Sequence, residues 1–117
     1  GFRPTVEDMY AGYTVIENKF TGNTTIGIVM TNACFDKSRL CKIAGMAQNG
    51  LARSIRPVHT SADGDSVYAM SVGTVQADMD MLGTLAADVM SEAILSAVKN
   101  AETAYGYISV NDFLTEY

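Results

Sequence analysis

Apolar positions along this chain fall into blocks with two different periods. Thr14, Val15, Ile16 and Phe20 favour extended backbone, and Gly22-Asn23 ends that block with turn chemistry, so a strand is predicted over 14–20. From Thr24 to Thr31 the apolar run is nearly unbroken, through Ile26, Ile28, Val29 and Met30. Such a run predicts a strand covered on both faces. The period then changes. Leu40, Ile43, Ala44, Ala47, Leu51 and Ile55 recur at three- and four-residue steps, which predicts a helix with one apolar face and Asp36 as its N-cap. Gly45 and Gly50 interrupt it, each at a cost of roughly 1 kcal/mol relative to Ala, and close packing against a neighbour would account for them. Pro57 ends the helix, because proline disfavours helical geometry at Arg56. Val58 to Asp65 reads as a loop and Ser66 to Gly73 as another apolar strand. A long second helix is predicted from about Asp80 to about Ala104. Its stripe is Leu82, Leu85, Ala86, Val89, Ala93, Ile94 and Ala97, with Gly106 as its stop signal. The tail over 107–117 predicts one short strand or turn.

The predicted order is strand, strand, helix, strand, helix, a layered α/β arrangement. Two helices cover only one side of a sheet, yet the strands are apolar on both, so further layers are expected. Composition points the same way. The chain has 117 residues, enough for one domain; 48% are apolar and only 18% charged. That is more apolar surface than a small domain hides, and a partner chain or homo-oligomer is expected. The net charge of −5, with no basic stripe, argues against nucleic acid. No apolar run approaches the ~20 residues of a membrane span, and no signal peptide opens the chain. The start at Gly1 without an initiator methionine suggests a fragment. Cys34 and Cys41 are expected to be reduced, partly buried thiols, which suggests a cytoplasmic protein. Their spacing and the single His59 do not make a zinc set, and no cofactor is implied. The methionines Met30, Met46, Met70, Met79, Met81 and Met90 read as gap-filling core or interface residues.

Two short motifs carry candidate chemistry. Asn23-Thr24 lies within Gly22-Asn23-Thr24-Thr25-Ile26-Gly27-Ile28 and puts a hydroxyl between a turn and an apolar strand. A threonine hydroxyl needs a base, and chain cleavage before the threonine frees its own α-amine for that task. Gly22 would supply the permissive backbone for a strained turn. An ordinary turn entering a strand explains the same residues. Asp63-Gly64-Asp65 presents two carboxylates around a flexible residue. Aimed at one site, they would bond the hydroxyl and ammonium of the nucleophile, and their mutual repulsion would raise one pKa. A solvated turn is the plainer reading. His59 has no evident partner and reads as a loop residue. Arg53 and Arg56 at the helix end would bind a substrate carboxylate or complement the helix dipole.

Taken in order, three segments resemble one family. They are Gly22-Asn23-Thr24-Thr25-Ile26-Gly27-Ile28-Val29, the stretch from Met46-Ala47-Gln48-Asn49-Gly50-Leu51 to Arg56-Pro57-Val58-His59-Thr60, and Asp63-Gly64-Asp65. The family is the DmpA-like peptidases: L-aminopeptidase/D-esterases, β-peptidyl aminopeptidases and the nylon-oligomer hydrolase, the last being the closest likeness. The resemblance implies an αββα sandwich of the DmpA and ornithine-acetyltransferase type, similar in appearance to N-terminal nucleophile hydrolases. It implies a precursor that cuts itself between Asn23 and Thr24. Residues 1–23 would then be the tail of a large-subunit region and 24–117 the small-subunit catalytic region. Thr24 would be the nucleophile, with Asp63 and Asp65 positioning it. A lysine and an asparagine of the large subunit would complete the site, so this chain alone is expected to be catalytically incomplete. Homo-oligomers, often tetramers, and short peptide or small amide substrates are implied. The alternatives are an acyltransferase like the ornithine acetyltransferases, or a truncated module whose role is assembly.

Overall fold

The computed structural model describes residues 5–11 and 23–116, so the strand predicted over 14–20 and the turn at Gly22 lie outside the described residues. The elements are α1 (Thr5–Tyr10), β1 (Ile26–Ala33), α2 (Lys37–Ser54), β2 (Ser66–Val75), α3 (Met79–Asn100) and α4 (Val110–Glu116). Among the described residues, β1 and β2 form a two-stranded parallel sheet with Ile26 opposite Ser66 and Met30 opposite Met70. Parallel neighbours need a crossover to return the chain to the same end of the sheet, and α2 provides it. The architecture is mixed α/β, with α2 and α3 packed together and α2 lying on β2.

Local chemistry sets the helix ends. The Asp36 carboxylate accepts from Arg39 N–H at 2.9 Å and caps α2; Asp78 accepts from Met81 N–H at 2.8 Å and caps α3. Helix α2 stops at Ser54, and the extended Ile55 still donates its N–H to the Leu51 carbonyl. Helix α3 ends at Asn100, earlier than predicted. The Asn111 side chain caps it by donating to the Lys99 carbonyl at 2.9 Å. Gly106 is therefore not a helix stop. It forms a tight turn with Tyr105, both at positive φ, closed by two backbone bonds between Ala104 and Tyr107. The tail carries a helix where a strand or turn was predicted: Ser109 accepts from Asp112 N–H and opens α4.

The core lies between the two helices and one face of the sheet. Ile43, Ala47 and Leu51 of α2 meet Ala86 and Met90 of α3, with Val29, Val67 and Ala69 beneath them. The opposite sheet face is open. Ile26, Ile28, Met30, Tyr68 and Val72 are between 61% and 67% exposed. Among the described residues the strands are thus covered on one face, not both. Only part of the stripe predicted for α3 faces the core: Leu82, Ala86 and Ile94 pack there. The buried line of α3 is Gly83, Ala86, Ala87 and Met90, while Leu85 and Val89 are exposed. Small residues let α3 approach α2 closely, and a search for large apolar side chains overlooks them. Met90 joins the core as expected, whereas Met30, Met70 and Met81 are exposed, as are both free cysteines, Cys34 and Cys41.

Contrary to the sequence expectation, among the described residues α3 is long and apolar enough to cross a membrane: an 18-residue window within its 22 residues has a mean hydropathy of 1.4. In this fold its small-residue face packs on α2, and Asp88 in its middle pairs with Arg53.

The two glycines of α2 separate cleanly. A Cβ on Gly50 would stand 2.4 Å from the Ala87 carbonyl oxygen and 2.8 Å from Met90 Cβ, whereas one on Gly45 would meet nothing within 4 Å. Close packing explains Gly50 and not Gly45. Gly50→Ala is therefore expected to destabilise the chain by about 1–3 kcal/mol, because two helices must separate. Gly45→Ala is expected to stabilise it by up to about 1 kcal/mol through helix propensity. Urea unfolding of both variants checks the pair; equal shifts would show that Gly50 does not set the helix spacing.

Candidate active site

The parallel ladder runs on past the start of both strands. Ser66 N–H donates to the Thr25 carbonyl at 2.9 Å, and Gly64 N–H donates to the Asn23 carbonyl at 2.9 Å. Asn23 and Asp63 form an isolated parallel bridge. The two sequence motifs are thus brought side by side by the register that pairs β1 with β2. Thr24 is exposed, and a Cβ on Gly64 would stand 3.0 Å from its Oγ1. Glycine at position 64 is what allows the acidic loop to lie against the hydroxyl.

The two carboxylates do not converge on that hydroxyl. Among the described residues no hydrogen bond joins Thr24 Oγ1 to Asp63 or Asp65. Asp65 reaches the next residue instead: its Oδ1 accepts from Thr25 N–H at 3.0 Å. Its Oδ2 accepts from His59 N–H at 3.1 Å and lies 2.9 Å from His59 Nδ1. The Asp65 side chain is only 6% exposed, whereas its His59 partner is 38% exposed. Asp63 bonds within its own turn. Its Oδ2 accepts from both the N–H and the hydroxyl of Thr60 at 2.8 Å, and its own N–H returns to the Thr60 carbonyl at 3.1 Å. The Thr60 hydroxyl, then its N–H, hold the Asp63 pKa below the ordinary 3.8, against a small opposing effect of burial. The raised pKa expected from like-charge repulsion is therefore not found at Asp63: its bonds to Thr60 favour the charged form.

His59 has a partner after all. Its backbone sits in the left-handed region at φ 57, uncommon for a residue with a side chain, and the Asp65 carboxylate grips both its N–H and its ring. Thr60 likewise gained no role from sequence, although its three-residue spacing to Asp63 is a readable turn signal. Nothing local announces the bond from Asp65 to Thr25. The two arginines part company: Arg53 pairs with Asp88, while Arg56 lines an open hollow of about 430 Å³ together with Asn23, Thr24, Thr25, Ile55, Pro57, Thr60 and Asp63. Among the described residues no cluster of three or more His, Cys, Asp or Glu could hold a metal ion. The hollow is lined by the exposed Thr24, by Arg56 and by the hydrogen-bonded acidic turn, residue types suited to acyl chemistry on a substrate carbonyl.

Residues 4–110 match Peptidase family S58. An uncharacterized aminopeptidase of Mycobacterium leprae is 35% identical over 120 aligned residues, covering 89% of this chain and 33% of that protein. An uncharacterized aminopeptidase of Mycobacterium tuberculosis is 34% identical over 105 residues, 77% of this chain and 30% of that protein. A 6-aminohexanoate-oligomer endohydrolase of Kocuria sp. is 31% identical over 91 residues, 67% of this chain and 26% of that protein. The chain thus spans about a third of the length of the curated relatives it matches best among these.

The lowered Asp63 pKa gives a signed expectation. A carboxyl whose folded pKa lies below its unfolded 3.8 contributes stability in full above 3.8 and loses it as pH falls through the folded value. Asp63→Asn is therefore expected to be less stable than the parent at about pH 7, with the gap narrowing in acid. Urea titrations of both proteins from neutral pH to about pH 2.5 check this. A gap that keeps its size throughout would show that the Thr60 bonds do not favour the ionised group.

Proposed function

The chain belongs to Peptidase family S58, the DmpA-like peptidases, and we propose that it is the nucleophile-bearing C-terminal part of a self-processing aminopeptidase or amidase. One observation carries the reading: the exposed Thr24 hydroxyl lies against Gly64 of the acidic turn, at the mouth of an open hollow. The names of its relatives, aminopeptidase and oligomer endohydrolase, support amide hydrolysis as the reaction class.

In this reading the bond between Asn23 and Thr24 is cut first. The freed α-amine of Thr24 then serves as the base for its own hydroxyl. Substrate hydrolysis proceeds through a threonyl ester: Thr24 Oγ1 attacks the amide carbonyl, the amine leaves, and water releases the acid. Asp63 and Asp65 act as positioning residues. Asp65 fixes Thr25, directly after the nucleophile, and ties His59 to the same turn; Asp63 closes the turn through Thr60. The ammonium created at Thr24 adds a donor beside two carboxylates whose negative charge favours it. Arg56 on the hollow wall suits a substrate carboxylate.

The uncovered apolar sheet face supports an αββα sandwich in which a second sheet, supplied by a large-subunit region, lies on Ile26, Ile28, Met30, Tyr68 and Val72. That region would bring the lysine and asparagine that complete the family's site. Assembly as a homo-oligomer, tetrameric as in the family, and a cytoplasmic location belong to the same reading. Short peptides and small oligoamides are the proposed substrates.

The test uses the full-length protein. Intact-mass measurement is expected to show two fragments, the second starting at Thr24, and a single uncut chain for Thr24→Ala. Amine release from short amides should fall on the order of 10³-fold or more in that variant. Fragments persisting in Thr24→Ala would rule out this nucleophile. Acetyl transfer to ornithine in place of amine release would make the protein an acyltransferase.

A further inference from the structure

From the backbone bond between Gly64 and Asn23 we infer that the Gly64 N–H is the oxyanion donor for cleavage of the Asn23–Thr24 bond. The inference rests on the self-processing reading above and adds a residue to it. Gly64 N–H already donates to the Asn23 carbonyl oxygen at 2.9 Å. In most parallel pairs such a bond only builds sheet. Here its acceptor is the acyl carbonyl directly before the candidate nucleophile. The same glycine is the residue on which a Cβ would stand 3.0 Å from Thr24 Oγ1. Attacked carbonyl, attacking hydroxyl and donor therefore meet at one backbone position.

The charge flow gives the bond its role. As Thr24 Oγ1 bonds to the Asn23 carbonyl carbon, its proton passes to a water molecule in the open hollow, which later returns it to the departing nitrogen. The π pair of the carbonyl moves onto oxygen, on the atom that Gly64 N–H already touches. Collapse of this adduct breaks the C–N bond, and the departing nitrogen takes up a proton as the Thr24 amine. Water then cleaves the ester between Asn23 and Thr24, leaving the Asn23 carboxylate and the free hydroxyl. A donor held at 2.7–3.1 Å from a developing oxyanion strengthens as charge grows and needs no reorganisation. The amide is a fixed feature of the ladder: Ser66 N–H to the Thr25 carbonyl, also 2.9 Å, is the next bond along.

That neighbouring bond is the control, because its carbonyl does not react. In the full-length protein, Gly64 is replaced by glycolic acid, and separately Ser66 by glyceric acid. Each swap exchanges one N–H for an ester oxygen. Both should lower the melting temperature similarly. Self-cleavage should slow by about 10²–10³-fold for the Gly64 ester only. Equal slowing in both esters, or unchanged cleavage in the Gly64 ester, would overturn the inference while leaving self-processing intact. A wild type that stays uncut would overturn the self-processing reading and the inference with it. A second measurement does not depend on cleavage. In Thr24→Ala carrying a ¹³C label at the Asn23 carbonyl, the Gly64 ester should raise the carbonyl stretching frequency; an unmoved band would remove the proposed donor.

Discussion

The parallel ladder between the 23–33 and 63–75 segments is the constraint on which the rest of this structure depends. Its register is fixed from both sides. Helix α2 returns the chain to the end of the sheet where β1 began, and the core of Ile43, Ala47, Leu51, Ala86 and Met90 holds that helix down on Val29, Val67 and Ala69. In a parallel pair a slip by one residue turns every side chain to the opposite face. Here it would carry Val67 and Ala69 out of the core and Tyr68 into it. The same slip would separate Asn23 from Asp63 and Thr25 from Asp65. Packing far from the acidic turn therefore decides whether the turn meets Thr24 at all.

Given that register, the two aspartates divide their work. A carboxylate has two oxygens and about four acceptor sites; Asp65 uses both oxygens, one of them on Thr25 beyond the turn, and Asp63 uses one, within the turn. Asp65 links three points of backbone and side chain: Thr25, the His59 N–H and the His59 ring. Asp63 collects two donors from Thr60. Hydrogen bonds to ionised acceptors are stronger than neutral ones, and the Asp65 carboxyl is well shielded from water. The turn is consequently stiff where it touches the hydroxyl. This is the arrangement expected of positioning groups, whose effect passes through the backbone and not through contact with the reacting atom.

Much of this was legible in the sequence, and the remainder was not for identifiable reasons. β1 and α2 were readable because their periods are strong and their caps, Asp36 and the break before Pro57, are local. The start of α3 at Asp78 and its buried face were harder. A Gly83, Ala86, Ala87 surface packs through closeness and not through large side chains, so a hydrophobic stripe drawn through Leu85 and Val89 picks the exposed side. Gly106 misled because a glycine after a helix has two common uses, cap and turn, and the Asn111 side chain settles which one applies here. Thr24 and Asp63-Gly64-Asp65 were recognisable as motifs in order. Their partners were not: Thr25 to Asp65 depends on the register between β1 and β2, and His59 to Asp65 on a loop conformation with His59 at positive φ.

The open sheet face and the open hollow have a common physical origin. Apolar side chains this exposed over adjacent positions of both strands gain roughly 25 cal/mol for each Å² withdrawn from water, so a covering layer is strongly favoured. In the proposed sandwich that layer meets Ile26 and Ile28 only two and four residues beyond Thr24. Covering the face would therefore also wall the reactive end of the ladder. Water exclusion there strengthens the charge-assisted bonds of Asp63 to Thr60, and the neutral bond of Gly64 to Asn23 as well, since electrostatic energies rise as the local dielectric falls. Completion of the fold and activation of the site are then one event. A chain able to cut itself before its sheet is covered would do so with the donor and the acidic turn still exposed to competing water. In the proposed reading, a chain that must first bury Ile26 and Ile28 would cut only after folding has aligned the groups, which would tie self-processing to correct assembly.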